Sequence, residues 1–119
     1  MKVKIGSYPN WYWWSTYLYK WFGYTRTQKI SVKIDKWDTW SMDHTLAHII
    51  LPMLKQLKAT NHGYPCDLTE QEWDEIQDKM IWSFEKKIED DYFDLSHAEH
   101  DKMAEGFKLF GLYYQNLWD

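Results

Sequence analysis

Lys29-Ile-Ser-Val-Lys-Ile-Asp35 runs, after one further lysine, into Trp37-Asp-Thr-Trp-Ser-Met-Asp43, and this junction decides the fold. Before it, Ile30, Val32 and Ile34 alternate with Lys29, Ser31, Lys33 and Asp35. That is the period of a strand with one apolar and one wet face. After it, Leu46, Ile49, Ile50, Met53, Leu54 and Leu57 recur at helical spacing. Ser41 is placed to cap that helix, and Asp43 in the first turn meets the positive end of its dipole. Trp37, Asp38 and Trp40 belong to neither periodicity; their ordinary role would be to bridge a sheet to a helical layer.

Working outward, Lys2-Val-Lys-Ile5 repeats the alternation and supplies a second strand. Two strands alone are marginal, so helices are expected to cover their apolar face. The first helix should run from Ser41 to about Asn61, kink at Pro52 and end at Gly63. Thr69-Glu-Gln-Glu72 is a capping box, with Leu68 placed to staple against Trp73. The helix it opens carries Trp73, Ile76, Met80, Ile81, Phe84 and Ile88 on one face. Ser96-His-Ala-Glu99 is a second box, ahead of Met103, Phe107, Phe110, Tyr114 and Leu117. Gly106 and Gly111 weaken that last helix and point to close approach of another backbone. Residues 8–24 read as helix or strand; Pro9 and Gly23 favour a short helix. The expected fold is α+β: a two-stranded or slightly larger antiparallel sheet packed by three main helices, in one compact domain spanning residues 1–119.

The net charge of −4 conceals an asymmetry. Residues 1–60 hold nine Lys/Arg against three Asp/Glu, whereas residues 67–105 hold fourteen Asp/Glu against four Lys. Such a division predicts a basic and an acidic face, which could pair in a homo-oligomer or steer separate partners. Cys66 is the single cysteine, so no intrachain disulfide forms, in keeping with a reducing compartment. The opening Met-Lys-Val-Lys-Ile lacks a signal-peptide core, and no apolar run reaches the roughly 20 residues that span a bilayer. A soluble, cytoplasmic protein without membrane contact is expected.

His44 and His48, at i and i+4 beside Asp43, are the candidate metal ligands; such a pair also occurs as two solvated side chains. His97 and His100 form a second pair. Asp74, Asp78, Glu85 and Glu89 make an acidic ridge, either the wet side of a helix or a surface for a basic partner. No phosphate-binding glycine loop, nucleophile elbow, dinucleotide fingerprint or zinc-protease motif is present, and Cys66 beside Asp67 is expected to be buried or inert. The rings from Tyr8 to Tyr24, Trp14 among them, stand beside Lys20 and Arg26 and could stack on a nucleotide. The overall acidity weighs against long nucleic acid.

The run Trp37-Asp-Thr-Trp-Ser-Met-Asp-His-Thr-Leu-Ala-His-Ile-Ile-Leu-Pro-Met-Leu-Lys-Gln-Leu57 resembles a family of small proteins of tailed bacteriophages that carries no assigned biochemical role. The resemblance extends to Lys2-Val-Lys-Ile-Gly6, to Met80-Ile-Trp-Ser-Phe-Glu85 and to the segment from Phe107 to Asp119, together about half the chain. This sequence departs from the family in its shorter connections after the first strand and the first long helix. The resemblance implies a phage origin and no catalytic residues. It leads to the expectation of a non-enzymatic binding protein in the host cytoplasm, without a cofactor. Such a protein would inhibit a host defence, as anti-CRISPR proteins do, or a host factor. It would act by stoichiometric binding of a host protein or a small nucleotide-like signalling ligand. Trp37, Asp38, Trp40, Asp43, Trp14, Asp78 and Glu85 are the expected binding residues. A minor virion component and a metal-dependent hydrolase built on His44 and His48 are the alternatives.

Overall fold

In a computed structural model of the chain, residues 1–6, 30–60, 63–89 and 94–118 are described. Among them, strands β1 (Lys2–Ile5) and β2 (Ile30–Lys33) form an antiparallel pair. Three main helices follow: α1 (Met42–Thr60), α2 (Glu70–Glu89) and α3 (His97–Leu112). The small α+β fold is the one that alternation and capping predict. Residues group into two compact units, Met1–Trp40 with the strands and Ser41–Asp119 with the helices. The short helix expected over residues 8–24 lies outside the described residues, as does Trp14.

In the first unit the register pairs Val3 with Val32 and Ile5 with Ile30, and Lys2 with Lys33 and Lys4 with Ser31. Apolar and polar residues are thereby sorted onto opposite faces, as the alternation predicts. The apolar face is made by Val3, Ile5, Ile30 and Val32. Its side chains remain exposed, from 40% at Val3 to 62% at Ile30. Two strands of four residues pair across the ribbon but offer too little surface to bury one another.

In the second unit α2 is the central helix, packed against both α1 and α3. Its start is the expected capping box. Thr69 Oγ1 accepts the Glu72 N–H at 3.1 Å, and Glu72 Oε1 accepts the Thr69 hydroxyl at 3.0 Å and its N–H at 3.4 Å. Leu68 packs against the cluster that contains Trp73, as a hydrophobic staple does. Ser96 Oγ likewise caps α3 by accepting the Glu99 N–H. The core joins Ala47 and Leu54 of α1 to Trp73, Met80 and Phe84 of α2. Phe84 stands edge-on to both Phe107 and Phe110, each with centroids 5.1 Å away.

Two apolar stripes are shifted from their expected positions. On α1 the buried pair is Ala47 and Leu54, while Leu46 and Met53 face outward, Met53 at 65% exposure. Ala47 is inward because a small side chain lets α2 come close. On the last helix Tyr113, not Tyr114, turns inward and meets Trp73 edge-on at 5.6 Å. Helix α3 ends at Leu112, and the 3-10 turn Tyr114–Asn116 breaks the periodicity that placed Tyr114 in the core. Helix α1 contains Pro52 and continues to Thr60, the last described residue before 63.

Gly106 is where α3 meets α2. A Cβ there would fall inside the contact shell of Ser83 Oγ and lie 2.6 Å from the Lys79 carbonyl oxygen. Ser83 is fully buried and returns its hydroxyl to that same carbonyl at 3.1 Å. Gly111 has nothing within 4 Å of a built Cβ, so the expected close approach holds for Gly106 alone. One buried polar group breaks the pattern of satisfied bonds: Gln77 is 3% exposed and its Nε2 has no hydrogen-bond partner.

Gly106→Ala is expected to cost about 2–3 kcal/mol by overpacking, and Gly111→Ala to gain about 0.5–1 kcal/mol from helix propensity. Paired urea denaturation curves check the opposite signs. Gln77→Met, which removes the orphaned donor at similar volume, is expected to raise stability by about 1 kcal/mol. A lowered urea midpoint would refute that reading of Gln77.

Candidate functional site

The stretch from Asp35 to Trp40 forms a turn whose two acids are used internally. Residues Lys36–Thr39 make a single 3-10 turn directly after β2. Its first bond runs from the Asp38 N–H to the Asp35 carbonyl at 3.1 Å, and its last from the Trp40 N–H to the Trp37 carbonyl at 3.2 Å. The Asp38 carboxylate reaches back to accept the Asp35 N–H at 2.7 Å. The Met1 ammonium then binds both acids, at 2.8 Å to Asp35 and 3.0 Å to Asp38. The turn is thereby tied to the start of β1. The Asp35 N–H and the Met1 ammonium hold the Asp38 carboxyl below the usual carboxylate range. The ammonium is in turn raised above its ordinary value by Asp35 and Asp38.

What the turn presents is aromatic. Trp37 is 74% and Trp40 83% exposed. Trp37 lies within the 3-10 turn and Trp40 is its C-cap. Large apolar rings this exposed are uncommon in a folded chain and mark a contact surface when they occur together. Of the expected binding residues in this segment, Trp37 and Trp40 are exposed. Asp38 becomes part of the frame that holds them.

Asp43 lies in the first turn of α1 and pairs with Lys87 of α2. That contact, aided by the His44 N–H, lowers its carboxyl below the ordinary range. His44 and His48 meet edge-on, with ring centroids 4.9 Å apart. Among the described residues no group of three or more His, Cys, Asp or Glu is placed to hold a metal ion.

The acidic ridge of α2 is engaged by the lysines of α1. Lys58 binds Asp78 directly and lies 3.5 Å from Asp74, and Lys55 reaches Glu85 at 3.2 Å. Asp78 raises the Lys58 ammonium above its ordinary value. These contacts are exposed, so each is worth under about 1 kcal/mol, but together they align α1 on α2. Asp78 and Glu85, expected as recognition residues, thus have partners inside the chain. Cys66 is exposed rather than buried.

The sequence carried one overlooked signal: Asp35 and Asp38 have the spacing of a cap and its third helical residue. The Met1, Lys55, Lys58 and Lys87 partnerships join distant positions, and no local pattern announces them.

Asp43→Asn is expected to lower stability at neutral pH by under about 1 kcal/mol, as for exposed pairs. Because the folded carboxyl titrates below its unfolded value of about 4, its contribution is complete above that pH. It is lost as the pH falls through the folded value. Urea midpoints for both proteins, measured from pH 7 down to pH 3, should converge at the acid end; a constant difference would contradict the ion pair.

No protein-family model, curated protein or solved structure matches this chain, so its own geometry carries the functional reading.

Proposed function

We propose that this chain is a non-enzymatic binding protein that occupies a protein partner stoichiometrically through Trp37 and Trp40. The observation that carries this reading is the exposure of two indoles at a turn tied to the Met1 ammonium through Asp35 and Asp38. Tryptophan is enriched among the residues that dominate interface energies, because a rigid ring buries much area for little lost entropy. A turn held by its own bonds removes part of the ordering cost of binding. The rings project outward, which suits a protein surface better than the enclosure a small ligand requires.

The resemblance to tailed-phage proteins supports a host protein as the partner, either a defence component or another host factor, met in the host cytoplasm. In this reading the chain blocks its partner by occupying it and performs no turnover. The α2 acids Asp78 and Glu85 are engaged by Lys58 and Lys55 of α1.

The test is quantitative capture from infected cells, comparing the wild-type chain with a Trp37→Ala/Trp40→Ala variant. A single partner complex should be recovered at fixed stoichiometry. The double variant should bind it at least about 30-fold more weakly, as loss of a hot spot of about 2 kcal/mol implies. Its melting temperature should change little, since both rings are exposed. Undiminished binding by the double variant refutes the surface. Recovery at fixed copy number in purified particles instead would favour a virion component.

A further inference from the structure

Away from the aromatic turn, the helical unit brings a pair of metal-ligating side chains into contact. His44 and His48 stand one turn apart near the start of α1, His48 exposed and His44 half-buried. Residues i and i+4 share one face of a helix, so the two side chains are neighbours. Their ring centroids are 4.9 Å apart, and their planes cross at 75° rather than stack. Asp43, the carboxylate next to them in sequence, is held by Lys87.

The ring separation is the one that two imidazoles adopt on a shared ion. With a zinc–nitrogen bond of about 2.1 Å, each ring centroid lies about 3.2 Å from the metal. Two such centroids are then about 4.5 Å apart for a right angle at the metal and about 5.2 Å for a tetrahedral one. The observed 4.9 Å falls between these limits. The ring torsion of histidine is soft, so each ring can turn a nitrogen toward the point between them without moving the helix.

We infer that His44 and His48 chelate a divalent, nitrogen-preferring metal ion such as zinc. The donors select the class of ion: imidazoles suit zinc, nickel and copper, whereas magnesium and calcium require oxygen ligands. The positive end of the α1 dipole opposes any cation near the first turn. An ion held by charge alone is therefore disfavoured, and one held by bonds to nitrogen is not. Closed structural zinc sites take four protein donors. Among the described residues no group of three or more His, Cys, Asp or Glu is placed to hold a metal. The ion accordingly has two protein bonds and keeps its other positions for water. Its effect is to clamp the first turns of α1, the part of the helix that carries Ala47 into the core. This inference is independent of the role of Trp37 and Trp40.

The test titrates zinc chloride into the full, untagged, metal-free chain by isothermal calorimetry, with magnesium chloride as the control. Zinc is expected to bind saturably and to raise the melting temperature, because it binds the folded chain in preference to the unfolded one. Magnesium should do neither. His48→Gln, at an exposed position, should weaken zinc binding by about tenfold or more. His44→Ala, checked by circular dichroism, should weaken it to a similar degree. His97 and His100, in the first turn of α3, supply the internal control. His97→Ala/His100→Ala should leave zinc affinity unchanged. Absence of saturable zinc binding overturns the inference, as does undiminished binding by His48→Gln. Loss of binding in His97→Ala/His100→Ala, with both α1 histidines intact, overturns it as well.

Discussion

The close approach of α2 and α3 at Ser83 and Gly106 is the constraint on which the helical unit depends. There is no room for a side chain at Gly106, and the buried Ser83 hydroxyl satisfies itself on its own helix. That contact sets α3 near enough for Phe107 and Phe110 to flank Phe84, and for Tyr113 to reach Trp73. On its other side α2 receives Ala47 and Leu54 of α1. Gln77 lies among the buried positions of α2, with its amide orphaned.

Electrostatics divides the chain's charged groups by use. Along the α1–α2 seam, Lys55, Lys58 and Lys87 meet Glu85, Asp78 and Asp43, so the acids serve alignment. At the start of the chain, Asp35 and Asp38 hold the turn through the Met1 ammonium. What is left over is informative. Among the described residues, the ribbon's lysines meet no acid, and Trp37 and Trp40 are exposed. Each feature costs something in the isolated chain, the first by repulsion and the second by exposed apolar surface.

Much of the secondary structure was legible in sequence because it rests on local physics. The boxes at Thr69 and Ser96 involve groups three residues apart, and the strands declare themselves through residues two apart. The helical phases were less legible. Leu46 and Met53 look as suitable for a core as Leu54, and only the partner helix decides which side of α1 is inward. Tyr114 was misplaced because periodicity assumes a helix that in fact ends at Leu112. The candidate site was half legible: Trp37 and Trp40 stood out as unclaimed by either period, while the structural duty of Asp38 depended on Met1, far away in sequence.

By itself, then, the sequence determined the α+β class, two of the helix starts, the sorting of the ribbon's faces and the singularity of the Trp37–Asp43 junction. Tertiary structure decided which side of each helix is buried, that Gly106 but not Gly111 sits at a contact, and that Asp38, Asp43, Asp78 and Glu85 have partners within the chain. The physical reason is range. Capping and periodicity are settled within a turn of backbone, whereas burial and ion pairing depend on groups that only the folded chain brings within a few ångströms.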